Sequence, residues 1–215
     1  MSNVYEEFAE DVSNSRRALW PGVVKWFNAA APGSTILDVG CGNGKYLSLR
    51  SNDCTIFGCD TSAALVEIAQ LNHPKATICL ASGLSLPYED ASFDAVVSVA
   101  VIHHLPLFEE RSKFVDELLR VLKPGGRLLI TVWATEAVKP LWIPLGNNDY
   151  LVPWKTNASD NGANGANGAN SAGESNKFDR FYHLFTRHEA QQLVNGSQVN
   201  FERNNWYISF QSSIV

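Results

Sequence analysis

The chain has 215 residues, 45% of them hydrophobic, with a formal charge of -5 and a pI near 5.5. That length supplies one sizeable core and leaves little room for two full domains, while the acidic balance excludes a global basic field as the means of holding nucleic acid. No run approaches roughly 18 consecutive apolar residues, and the opening MSNVYEEFAEDV is acidic where a signal or transit peptide would be basic; the expectation is a soluble protein of the cytoplasm or nucleus.

In chain order, Val4, Phe8 and Val12 fall one helical turn apart, and Pro21 opens a second helix with Val23, Val24 and Phe27 inward. These two helices form a flank or lid over residues 1–33. A core over 34–133 then alternates strand TILDVG, helix GKYLSLR, strand TIFGCD, helix TSAALVEIAQLN with Thr61 or Ser62 as cap, strands ATICLA and FDAVVSVAV, helix FEERSKFVDELLRVL and strand RLLITVW. Alternating strands and helices predict a mostly parallel sheet covered on both faces, an α/β single domain. Phe114, Leu118, Val121 and Leu122 mark the inward stripe of the long helix, and Pro124-Gly125-Gly126 ends it.

Residues 157–176, NASDNGANGANGANSAGESN, are polar and glycine-rich, without the proline or the length of a triple helix. They read as a flexible loop whose ends, for a random coil, lie roughly 25 Å apart. It either overhangs a cleft or only connects strands. From 177 to 215, RFYHLF and NFERNNWYISF read as two aromatic strands, the closing antiparallel hairpin of the sheet, flanking a short helix that opens on the capping box Thr186-Arg187-His188-Glu189.

The chemistry concentrates at ILDVGCGNGKYL. Gly40, Gly42 and Gly44 are evenly spaced after Asp38, unlike the G-x-G-x-x-G that seats a pyrophosphate on a helix N-terminus. Glycine there lets backbone approach a ligand that carries no phosphate, and the aspartate orients the loop or holds an amino group. Asp60 ends the second strand, placed either to accept two hydrogen bonds from a ribose diol or to cap the next helix. His103 and His104 follow a strand at the carboxyl end, where ligands sit in open α/β sheets. Trp133 ends another strand on that side, as pocket or core, and Trp206 belongs to the core. Arg16 and Arg17 are either site groups or solvated charges. Cys41, Cys54, Cys59 and Cys79 show no metal spacing and read as reduced structural thiols, so no zinc site is expected in this chain.

The glycine loop resembles motif I of the class I methyltransferases that use S-adenosylmethionine (SAM), a Rossmann-like fold with a seven-stranded sheet. By that resemblance Asp38, Gly40, Gly42, Gly44, Lys45, Asp60, Thr61, Ser82, Gly83, Leu84 and Ala100 hold the cofactor. Ser82 stands where the adenine segment usually carries an aspartate, which leaves one hydroxyl and no charge for the adenine amine. The stretches VYEEFAEDVSNSRRALWP, SVAVIHH, ITVWA, RFYHLF and ERNNWY, in that order, resemble the eukaryotic tRNA wobble-uridine methyltransferases, which esterify 5-carboxymethyluridine. The resemblance implies a tRNA anticodon loop as substrate, with Arg16 and Arg180 gripping the carboxymethyl group or a phosphate and Tyr182, Trp133 and His103 or His104 shaping the base pocket. It also implies a small zinc-binding activator subunit paired with the edge strand Ala76 to Ala81, which holds no lysine or proline from Thr77 on. A carboxylate of pKa near 4 needs no general base at neutral pH, so alignment is the main task. A small-molecule O- or N-methyltransferase and a poorly SAM-binding structural subunit remain as other readings of the same core.

Overall fold

The computed structural model describes residues 4–7, 9–10, 13, 18–155 and 177–213. Two helices lead in, α1 (Val4–Glu7) and α2 (Pro21–Asn28). The core follows as β1 (Thr35–Val39), β2 (Thr55–Asp60), α3 (Ala63–Asn72), β3 (Thr77–Leu80), β4 (Phe93–Val99), a 3-10 turn at Ile102–His104, α4 (Phe108–Val121) and β5 (Leu122–Trp133). Then come β6 (Ile143–Gly146), β7 (Asp149–Lys155), β8 (Lys177–His183), α5 (Arg187–Leu193), β9 (Gln198–Glu202) and β10 (Asn205–Gln211).

The main sheet has seven strands in the order β3-β2-β1-β4-β5-β10-β9, parallel from β3 through β5 and antiparallel at β10 and β9. The strand period of two sorts its side chains onto two faces. Ile36, Ile56, Ala95, Val97 and Leu129 pack with Val23, Trp26 and Phe27 of α2 and with Val66 and Ala69 of α3. Leu37, Val39, Val96, Leu128, Ile130 and Val132 pack with Phe114, Val115, Leu118 and Val121 of α4 and with Ala190 on α5. The result is three layers with two apolar interfaces, the arrangement a parallel sheet requires. In α2 it is Trp26 rather than Val24 that joins Val23 and Phe27 inside.

Three expectations change. The segment GKYLSLR makes no regular helix but a chain of tight turns, with Leu47 donating to Gly44 O (2.8 Å), Leu49 to Tyr46 O (3.0 Å) and Arg50 at φ 62°. Short i to i+3 bonds replace the helical ladder where the glycine loop feeds the turn. Second, β8 is not part of the closing hairpin: β6, β7 and β8 form a separate antiparallel sheet, with Tyr150 opposite Tyr182 and Val152 opposite Arg180. Third, NFERNNWYISF holds both strands of the hairpin, since Arg203 (φ 51°) and Asn204 (φ 61°) form a two-residue turn between Glu202 and Asn205, the left-handed pair that matches sheet twist. The capping box is formed, Glu189 N donating to Thr186 Oγ1 (3.2 Å) and Thr186 N to Glu189 Oε2 (2.7 Å). The Val4, Phe8 and Val12 stripe and the tract 157–176 lie outside the described side chains.

Candidate functional site

The strand order reverses between β1 and β4, so the loops leaving their carboxyl ends bound a crevice, the usual ligand position in open α/β sheets. Gly40 and Gly42, at φ 76° and 57°, carry the chain out of β1 in the left-handed region. A Cβ on Gly40 would stand 2.3 Å from Val101 Cγ2, whereas one on Gly42 would meet nothing within 4 Å. The first glycine is therefore needed by packing against the loop after β4, and the second faces open space on the crevice side. We expect Gly40→Ala to cost about 3 kcal/mol, summing the left-handed penalty and the overpacking. A urea titration measures it, and Val101→Ala in the same chain should recover the packing share only.

Asp38, at the end of β1, is 2% exposed, and its Oδ1 has no hydrogen-bond partner among the described residues. Burial pushes its carboxyl up to about 7, with Lys45 opposing and Asp60 adding to the rise. An orphaned buried acceptor beside a glycine loop is what a cationic or amine-bearing ligand would complete. Asp60 ends β2 with Oδ2 accepting from Gly42 N (2.8 Å) and Oδ1 from Ser62 N (3.0 Å). The cap of α3 is Ser62, whose hydroxyl accepts from Leu65 N (3.2 Å). Asp60 thus belongs to the glycine loop, and Thr61 is exposed beside it. Lys45 donates to Ala18 O (3.4 Å) and lies over the rings of Tyr46 (4.8 Å) and Trp20 (5.5 Å). Asn43 donates to Ser13 O (3.1 Å), so the N-terminal flank crosses the loop.

On the β3 side, Ser82 turns the chain, its hydroxyl accepting from Leu84 N (3.2 Å), and Gly83 lies against Phe114, where a Cβ would approach Cε2 to 2.2 Å. On the β4 side Ala100 is held at φ 59° by bonds from its amide to Thr131 O (3.2 Å) and Oγ1 (3.0 Å). That strained turn aims Ile102–His104 across the crevice mouth.

There the second group assembles. His103 stacks on Tyr182 (4.9 Å, 17°), Tyr182 lies 4.5 Å from His104 and 4.8 Å from Trp133, and the Arg180 guanidinium lies 5.2 Å from the Tyr182 ring. Arg180 and Tyr182, two apart on β8, share one strand face, and the small sheet lays that face over the end of β5. Phe185 N donates to Trp133 O (2.9 Å) and Trp206 Nε1 to Phe185 O (2.8 Å), pinning the exit of β8 to the main sheet and placing Trp206 in the core. Arg16 and Arg17 lie outside the described residues. Three residues that sequence reasoning passed over also join the cluster: Trp142 stacks on Trp133 (5.3 Å, 16°), Tyr150 lies 6.1 Å from Trp142, and Tyr5 lies 5.4 Å from His104. The available signal was Gly146-Asn147-Asn148, a turn between apolar runs, with both asparagines at positive φ.

The family described as "Methyltransferase domain" matches residues 37–130. A tRNA (carboxymethyluridine(34)-5-O)-methyltransferase from Schizosaccharomyces pombe is 34% identical over 215 residues, covering 95% of this chain and 92% of the relative. The chain belongs to that methyltransferase family. The protein of the same name from Arabidopsis thaliana is 41% identical over 155 residues, 70% of this chain and 37% of the relative, so the chain spans about a third of that longer protein. A crystal structure of a SAM-dependent methyltransferase from Methanosarcina mazei superposes with a TM-score of 0.69 at 22% identity, covering 92% of this chain and 99% of that one, which establishes the fold. No helix among the described residues is long and apolar enough to cross a membrane.

Proposed function

We propose that the protein methylates the carboxylate of 5-carboxymethyluridine at the wobble position of tRNA, with SAM as donor, to give the methyl ester. The observation that carries this reading is the joining of a glycine and aspartate crevice to an arginine and aromatic cluster, in a chain similar over nearly its whole length to a relative named for that reaction. SAM, when bound, supplies a methyl group on a positively charged sulfur. Asp38, Gly40, Gly42, Gly44, Lys45, Asp60 and Thr61, with Ser82, Gly83, Leu84 and Ala100 across the crevice, would hold it.

The acceptor oxygen is already anionic at neutral pH, so no residue has to remove a proton. The work left to the chain is orientation and exclusion of water. Arg180, with its planar fork, is the group to hold the carboxylate, with Arg16 in the same role or on a neighbouring phosphate. Tyr182 and His103, each 1% exposed and stacked on one another, form the wall behind the pocket, and the half-buried Trp133 offers a ring to an unstacked anticodon base, a contact worth roughly 1 to 3 kcal/mol.

A partner fits one edge of the sheet. Among the described residues β3 is one of the two edge strands of the main sheet, β9 being the other; Leu80 on β3 is 58% exposed and Leu71 on α3 is 77% exposed, beside Gln70, whose amide donates to Ile78 O. Pairing by a small zinc-binding activator would cover both leucines and extend the ladder.

Labelled methyl from SAM, tRNA from cells lacking this activity and the activator test the reading, followed by mild alkali. Label released as methanol is the expected result. Alkali-stable label in tRNA, or none, refutes the ester.

A further inference from the structure

His104 is held at both ring nitrogens. Its Nδ1 lies 3.1 Å from the carbonyl oxygen of Phe181, and its Nε2 lies 2.8 Å from the Tyr5 hydroxyl. A carbonyl only accepts, so Nδ1 carries the hydrogen in the neutral ring, and Nε2 is then the acceptor of the Tyr5 O–H. The Tyr5 ring meets the imidazole edge to face at 5.4 Å. Behind Tyr5, α1 is seated on the start of α3: the Ser62 hydroxyl lies 3.1 Å from Tyr5 O and 2.7 Å from Glu6 Oε2, and Ala64 N donates to Glu6 Oε1 (3.3 Å). Ser62 N in turn donates to Asp60.

One continuous set of bonds therefore runs from the acid at the end of β2, through α1, to His104 and on to the backbone of β8 between Arg180 and Tyr182. We propose that Tyr5 is a positioning residue that fixes the Nδ1–H tautomer of His104 and, through the Phe181 carbonyl, sets where Arg180 meets the acceptor with the buried Tyr182 ring behind it. In this arrangement His104 is a strut and not a general base, which agrees with an acceptor oxygen that needs no base. The inference rests on the reading under Proposed function for its acceptor, but the tautomer does not.

Tyr5→Phe keeps the ring contact and removes only the hydroxyl, so the full chain with its activator folds as a fair comparison. Long-range proton–nitrogen spectra of histidine-labelled protein should show His104 protonated at Nδ1 in the parent. In Tyr5→Phe the Nε2 resonance should move toward that of an unbonded acceptor. Methyl transfer to tRNA should lose about tenfold in kcat/KM, the effect of one hydrogen bond, carried by KM, with SAM affinity within about twofold of the parent. An Nε2–H tautomer in the parent, or a variant with unchanged kcat/KM, overturns the proposal. If the parent shows the Nδ1–H signature yet transfers no methyl to any tRNA, the tautomer latch stands and the functional reading falls.

Discussion

Asp38→Asn should make the ligand-free protein more stable above neutral pH and weaken its hold on SAM by about two orders of magnitude. The side chain is buried with an unpartnered oxygen, and its carboxyl is raised from 3.8 to about 7 by burial. A raised folded-state pKa means that the folded chain keeps a proton the unfolded chain has lost. Stability from this group is therefore complete below pH 3.8, declines as pH rises, and is fully lost above about 7. The loss is on the order of 4 kcal/mol at most. Asparagine is neutral throughout, so its advantage should be absent near pH 4, grow toward 7 and then level off. Urea titrations at pH 5 and 8 read this directly. The same carboxylate is the anion that would meet the cationic donor, and losing a charge-assisted bond of about 2 to 3 kcal/mol weakens binding roughly 30- to 160-fold. In the parent, SAM affinity should fall as pH drops below 7, approaching about tenfold per unit before levelling near the variant's value, because a proton competes for Asp38; in the variant it should be flat. A variant less stable at pH 8, or a parent with pH-independent affinity, would remove Asp38 from this role.

The parts of this site that the sequence exposes are those built from contiguous residues. Strand, glycine turn and acid at the next strand end occur in Ile36–Asp60, and their resemblance to motif I of the SAM-dependent methyltransferases is what implies one shared site. The near-continuous apolar runs of the parallel strands and the stripe of Phe114, Leu118 and Val121 on α4 also predict the three layers, because each strand is buried on both faces and leaves a dense apolar record. The small sheet left a poorer record. β6 and β7 contain Pro144 and Pro153, neither shows clean alternation, and β8 reads as a strand without revealing which strand it pairs with. Pairing is a tertiary choice, and the two-residue turn at Arg203-Asn204 claimed the hairpin instead. Tyr5 was illegible for the same reason: it meets His104 from 99 positions away, and nothing local to VYEE indicates that its hydroxyl has a partner at the end of β4.

Arg180→Ala should separate the two substrates of the reaction. Arg180 is opposite Val152 on β8, outside the glycine loop, with its guanidinium over Tyr182. Removing it should therefore leave SAM affinity unchanged while kcat/KM for tRNA drops about 30- to 100-fold, the value of a charge-assisted grip. Arg180→Lys keeps the charge but loses the planar fork and the stacking on Tyr182, and should recover only part of that loss. Binding assays with two tRNAs then say what the guanidinium holds. If it holds the carboxymethyl group, the alanine variant binds tRNA bearing 5-carboxymethyluridine more weakly than the parent does, and binds the same tRNA with plain uridine equally well. If it holds a phosphate, both tRNAs weaken together and their affinities fall more shallowly with salt, because one fewer counterion is released. A variant that loses SAM affinity and keeps its tRNA KM would place Arg180 on the cofactor side, and the aromatic cluster would then need another anion-binding group for the acceptor.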